Sequence, residues 1–155
     1  MRKFFSYILL LASLNSVGQA IQFGKLGQGF NGVYSTVRTV FYDTIDKKLY
    51  AGGHFKFTSN KLVNGVASWN GTSWDSLQGG FTQTPHYNNP GNSASDGWPW
   101  QIIRFQNKIY FIGAITWVNG KNQYHMAVWN GTSWDYPIAQ PPNDRVYNLV
   151  VYNNE

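Results

Sequence analysis

Seven consecutive residues of this chain occur twice. Trp69-Asn70-Gly71-Thr72-Ser73-Trp74-Asp75 returns as Trp129-Asn130-Gly131-Thr132-Ser133-Trp134-Asp135, at an offset of 60. The offset holds without a gap back to Lys48 and Lys108. Over those 28 pairs, 12 are identical, among them Tyr50/Tyr110, Gly53/Gly113, Lys61/Lys121 and Ala67/Ala127. A chain that repeats on this scale folds as copies of one unit, each stacked on its neighbour.

The repetition extends beyond the motif. Val40-Phe41-Tyr42 lies over Ile102-Ile103-Arg104, and Leu149-Val150-Val151 over the same three at an offset of 47. Phe23 to Phe30 lies over Trp74 to Phe81 at an offset of 51, as the tail of a unit whose front is absent. Two whole units and two partial ends are therefore expected.

Each unit reads as four short strands. In the first they fall near Val37–Tyr42, Lys48–Gly52, Val63–Trp69 and Trp74–Leu77, with Gly, Asn and Pro between them. Asn70-Gly71 and Asn130-Gly131 suit tight hairpins, because both residue types tolerate positive φ. The third strand carries apolar residues on both faces: Met126 and Val128 on one, Ala127 and Trp129 on the other. A strand covered on both faces needs a neighbouring sheet on each side. Four-stranded antiparallel sheets stacked face to face around an axis supply that, which is a β-propeller.

The motif now becomes specific. Gly52-Gly53 after an apolar strand, followed by Trp69 and Trp74 around a hairpin, resembles the Kelch family of propeller repeats. The spacing departs from that family, with Trp69 and Trp74 five apart, and Ile112-Gly113 replaces the glycine pair in the second unit. The sequence looks closer to secreted bacterial propellers with Tyr-x-Gly-Gly-x-Phe and Trp-Asn-Gly-Thr-Ser-Trp repeats, carried here by Tyr50–Phe55 and Trp69–Trp74. The resemblance implies an all-β, extracellular binding protein. A propeller takes at least about four blades, so the expectation is an incomplete propeller fragment.

Composition agrees with buried aromatic sheets. The chain of 155 residues is 17% aromatic and only 12% charged, which disfavours a solvated helical bundle and intrinsic disorder. There is no Cys, so disulfides, thiolate catalysis and cysteine-ligated zinc are excluded. Arg2 and Lys3, the apolar run Phe4–Leu14 and the small residues Gly18 and Ala20 read as a secretory leader cleaved after Ala20. The remaining 10 Lys and Arg against 7 Asp and Glu leave +3, scattered without a nucleic-acid patch. The expected organisation is a leader over 1–20 and an N-terminal closing strand with linker over 21–36. A first blade over 37–81, an inserted loop over 82–97, a second blade over 98–140 and the start of a third over 141–155 follow.

Catalytic signatures are thin. His54 and His125 stand opposite Ala114 and Gly65 in the repeat, His86 is isolated, and no pair has metal-ligand spacing. No nucleophile elbow or phosphate loop is present. No catalytic residue, metal or cofactor is assigned. Asp75 and Asp135 hold equivalent places beside the turn, where a hydrogen bond to the hairpin backbone is expected. Gly52, Gly53, Trp69, Asn70, Gly71, Trp74, Gly113, Trp129, Asn130, Gly131 and Trp134 read as the structural motif of the repeat.

The units differ in one place. Phe30 to Val40 spans 10 positions and Phe81 to Ile102 spans 21, an insertion of 11 within Thr82–Trp100. Loops on a rigid scaffold carry function. Tyr87, Trp98, Trp100 and Trp117 are the candidate aromatics for stacking on a sugar or filling a partner's pocket, with Asn119 and Lys121 as polar contacts. Strand alternation places the insertion on the same end as the second-to-third loops, opposite the Asn-Gly hairpins. The functional expectation is a secreted, non-catalytic binding or adhesion module for a polysaccharide or cell-surface protein. It has no nucleic-acid partner and no membrane span after leader cleavage, and it contacts further blades of its own chain or other copies. The alternatives are part of a secreted polysaccharide-active enzyme with its catalytic residues in other blades, or a purely structural repeat of a surface protein.

Overall fold

The computed structural model describes residues 26–32, 35–81, 97–119, 121–123, 125–136 and 144–152. The expected leader, the residues 23–25 of the closing strand, and His86 and Tyr87 with the rest of 82–96 lie outside the described residues.

The described residues form thirteen short strands and contain no helix. Strands β1 (Phe30–Asn31), β4 (Phe57–Thr58) and β5 (Lys61–Leu62) make a small three-stranded sheet in the order β1-β4-β5. Strands β2 (Thr36–Asp43), β3 (Lys48–His54), β6 (Val66–Trp69) and β7 (Trp74–Ser76) form a four-stranded meander. Its counterpart is β8 (Gly97–Phe105), β9 (Lys108–Ile115), β12 (Met126–Trp129) and β13 (Trp134–Asp135). A ribbon of β10 (Trp117–Val118) and β11 (Lys121–Asn122) completes the set. Every pairing is antiparallel.

The third strand is shorter than expected. It starts at Val66 because Asn64 and Gly65 take positive φ and turn the chain beforehand. Leucine 77 likewise falls just beyond β7. The hairpins also differ in mechanism from the expectation. Only Gly71 and Gly131 have positive φ, both 103°. Asn70 instead turns its side chain inward, and its Oδ1 accepts from the backbone N–H of Thr72 and of Ser73, each at 2.9 Å. Asn130 does the same at 3.0 and 2.9 Å. The amide oxygen thus replaces a backbone acceptor in the turn.

One face of the β8-β9-β12-β13 sheet (sheet two) packs on the β2-β3-β6-β7 sheet (sheet one). Ile109, Phe111, Ala127, Trp129 and Trp134 meet Tyr50, Val66, Leu77 and Phe81 in one buried cluster. The rings interlock, with Phe81 5.6 Å from Trp134 and Tyr50 edge-on to Phe111 at 6.2 Å. All four residues of β12 are buried, as the two-sided apolar pattern requires. The opposite face of sheet one holds a second cluster, Ala51, Phe55, Val63, Ala67 and Trp74, against Phe30, Leu49 and Trp69.

The offset of 51 reappears as geometry. The Trp134 indole N–H donates to the carbonyl of Leu77 at 2.9 Å, and the Trp74 indole N–H donates to that of Leu26 at 3.0 Å. Phe30 sits 4.7 Å from Trp74, as Phe81 sits against Trp134. Residues 26–30 therefore occupy, for sheet one, the place that 77–81 occupy for sheet two.

The recurring glycine has a steric cause. The pairing of β2 with β3 shifts between Val37 and Thr39, and that of β8 with β9 between Pro99 and Gln101. Arg38 and Trp100 are the extra residues of two equivalent β-bulges. A Cβ on Gly53 would collide with the Thr36 carbonyl, and one on Gly113 with that of Trp98. Gly52 is not constrained by the bulge; a Cβ there would meet the Pro99 ring of the next sheet. Sheet two has no such demand, and Ile112 is fully buried at that position. We expect Gly113→Ala to cost about 2 kcal/mol, because backbone has to move. Ala114→Gly, one residue away, should cost about half as much, and urea unfolding of the two variants checks the order.

Residues 144–152 lie beside β8 without forming a strand. The Gln101 side-chain amide donates to the Leu149 carbonyl at 2.9 Å and accepts from the Leu149 N–H at 2.7 Å. Leu149 is the residue at which the third start was expected.

Candidate functional site

Alternation along β3 puts Lys48 and Tyr50 on one face. Cross-strand register extends that row, with Tyr50 opposite Ser68 and Ser68 opposite Asp75. In sheet two the same row is Tyr110, Val128 and Asp135. The serine makes the first row more polar. It lines a cleft of about 520 Å³ between the two sheets, with Lys48, Tyr50, Lys61, Asp75 and Trp129 around it.

The charges in this cleft are arranged differently from those of its counterpart. Lys61 Nζ pairs with Asp75 at 2.6 Å and also donates to the Trp74 carbonyl at 3.3 Å. In sheet two, Asp135 pairs with Lys108 at 2.9 Å and accepts from Asn130 Nδ2 at 2.8 Å. Lys121, the counterpart of Lys61, lies over the Tyr136 ring at 4.1 Å. Lys48, the counterpart of Lys108, has no ion pair among the described residues. The two aspartates thus bond side chains, not the hairpin backbone expected for them. The Lys108 hydrogen bond holds the Asp135 carboxyl below its ordinary range, and the same bond pushes the Lys108 amine up. Burial, with the charges of Asp43 and Asp46 behind it, pushes the Tyr50 phenol up to about 12. Its hydroxyl therefore stays protonated and can donate.

A second ionic cluster ties the sheets together. Arg104 on β8 pairs with Asp43, which is 1% exposed at the end of β2, and with Asp46 at 3.0 Å. The Arg104 hydrogen bond draws the Asp46 pKa down. This cluster has no counterpart within one unit, because Tyr42 stands where Arg104 does.

The aromatics expected on a common loop surface are separated. Trp98 and Trp100 belong to β8, a correction to their expected loop placement. Trp98 meets His54 edge-on at 3.9 Å. Burial, then the Arg38 charge, lowers the His54 pKa. Trp100 stacks on Tyr147 at 5.4 Å and 16°. Trp117 is half-buried in its ribbon. Asn119 donates to Gln78 Oε1 at 3.3 Å, and Lys121 is held on Tyr136. Tyr87 is outside the described residues. Among the described residues, no three His, Asp or Glu side chains gather as a metal site.

The described chain is thus an all-β protein of repeated antiparallel sheets with a polar cleft between two of them. No family model, curated protein or solved structure matches it. The cleft was not anticipated from sequence. The one available signal was Ser68 against Val128 in an otherwise apolar repeat position.

Proposed function

We propose that this chain is a secreted run of Kelch-like propeller blades that binds polysaccharide without covalent chemistry, in the cleft between its first two sheets. The observation that carries the reading is the cleft lining. Tyr50 and Ser68 with their hydroxyls, Asp75 with its carboxylate and two lysines line about 520 Å³, with Trp129 beside them. Donors and acceptors gathered in a concave site suit the hydroxyl-bearing rim of a sugar ring. A concave site of this size suits one or two sugar residues better than the flat patch of a protein partner. The four-strand meanders, the stacking of one on the other and the recurring indole clasp support the blade reading.

Ser68→Val copies the residue that sheet two carries at the same position. It is expected to weaken glycan binding about tenfold, the worth of a lost hydrogen bond and an unpaired partner. Titration calorimetry against soluble polysaccharides, with thermal unfolding as the control, reads both quantities. Undiminished affinity would place binding elsewhere on the molecule.

A further inference from the structure

We infer that the cleft selects an anionic saccharide, a uronate or a sulfated sugar, and that Lys48 holds the acidic group. This rests on the polysaccharide reading and narrows it. The two units carry the same four polar residues: Lys48/Lys108, Lys61/Lys121, Asn70/Asn130 and Asp75/Asp135. In sheet two Asp135 takes both Lys108 and Asn130, and Lys121 rests on the Tyr136 ring. In sheet one Asp75 turns to Lys61, and Lys48, which lines the cleft, makes no direct ion pair among the described residues and acts on Asp46 only through its charge. Asp43 and Asp46, near the same strand end, are committed to Arg104. The lining therefore offers two ammonium groups against one carboxylate.

A neutral sugar makes no use of that surplus. A carboxylate or sulfate ester meets it with a charge-assisted hydrogen bond. The neighbouring donors suit the same group: Ser68 lies on the strand beside Tyr50, and the Tyr50 hydroxyl stays protonated. Ser68 has no equivalent in sheet two, where Val128 would leave an acidic oxygen unpaired. The exchange of the paired lysine and the gain of one hydroxyl thus occur in the same cleft.

The test compares polygalacturonate, dextran sulfate and neutral dextran on the purified protein at about 0.15 M salt, where exposed charges are well screened. At least one anionic polymer is expected to bind about tenfold tighter than dextran. Lys48→Gln should remove that preference, Lys48→Arg should restore most of it, and Lys108→Gln should leave it intact. Preference between the two anionic polymers identifies the acidic group. Equal losses in Lys48→Gln and Lys108→Gln would overturn the inference in favour of general charge attraction. So would an unchanged Lys48→Gln, or equal binding of all three polymers. In each of those cases retained dextran binding leaves the polysaccharide reading standing. Retention of none of the polymers would sink both. Thermal unfolding of each variant confirms that a lost preference is not lost folding.

Discussion

Trp134→Ala is expected to lower the free energy of unfolding by about 4 kcal/mol, the range for truncating a buried aromatic in a packed core. Trp134 is 6% exposed and touches three rings, with Phe81 and Phe111 at 5.6 Å and Trp129 at 5.2 Å. Its indole also satisfies the Leu77 carbonyl. Truncation opens a cavity between the two sheets and leaves that acceptor bare. Trp134→Phe refills most of the volume and should cost about 1–2 kcal/mol, mostly the missing hydrogen bond. Equilibrium unfolding in urea separates the three proteins. A loss below about 1 kcal/mol for the alanine variant would mean that the two sheets do not share this core. Trp74→Ala is the informative comparison. Trp74 bonds Leu26 and packs on Phe30 and Trp69 in the second cluster, so its loss loosens the N-terminal segment from sheet one and leaves the intersheet cluster in place.

Arg104→Met should cost about 3 kcal/mol, because it strands the carboxylate of Asp43 in a buried position. Asp43 also accepts the Ile45 N–H at 3.1 Å, so its place in the turn is fixed and it has little room to swing toward water. Asp46 is 45% exposed and contributes far less. The double variant Asp43→Asn/Arg104→Met is expected to recover much of the loss, since it removes the stranded charge. A double variant no more stable than the single one would show that the arginine acts by packing. The pH response has a definite sign. Arg104 lowers the Asp46 pKa, so that carboxylate's contribution is complete above about pH 4 and fades as the pH falls through the lowered value. Arg104→Met should flatten that acid limb.

The strand pattern was legible because identical residues recur in register. Trp69 pairs with Trp74 and Trp129 with Trp134, as the hairpin motif requires. Glycine 53 and 113 recur for a reason no pattern of hydrophobicity displays, since the bulges at Arg38 and Trp100 arise from a register shift between strands. The ribbons β4–β5 and β10–β11 were too short to show a period. Trp98 and Trp100 were expected on the inserted loop for a similar reason. Absence of a repeat partner marks a residue as variable, not as exposed, and Trp98 and Trp100 are variable inside a strand. Arg104 and Asp43 escaped notice because their bond joins different units at non-equivalent positions. The cleft is itself a difference between copies, legible only once Ser68 and Val128 are seen to face the same way.

The indole clasp separates what is fixed in this chain from what is free. Trp74 reaches a carbonyl 48 positions back and Trp134 one 57 back, yet both make the same bond. The nine extra positions are the insertion of 11 less two residues saved where β8 turns into β9 through Gln106-Asn107 alone. Chain length between the clasped points is therefore an adjustable quantity, and the bond that joins them is not. Between the two copies the connecting length changes while the indole of the next sheet keeps its seat. The same property makes the stretch after Phe81 the natural point at which to graft a foreign recognition segment onto an unaltered frame.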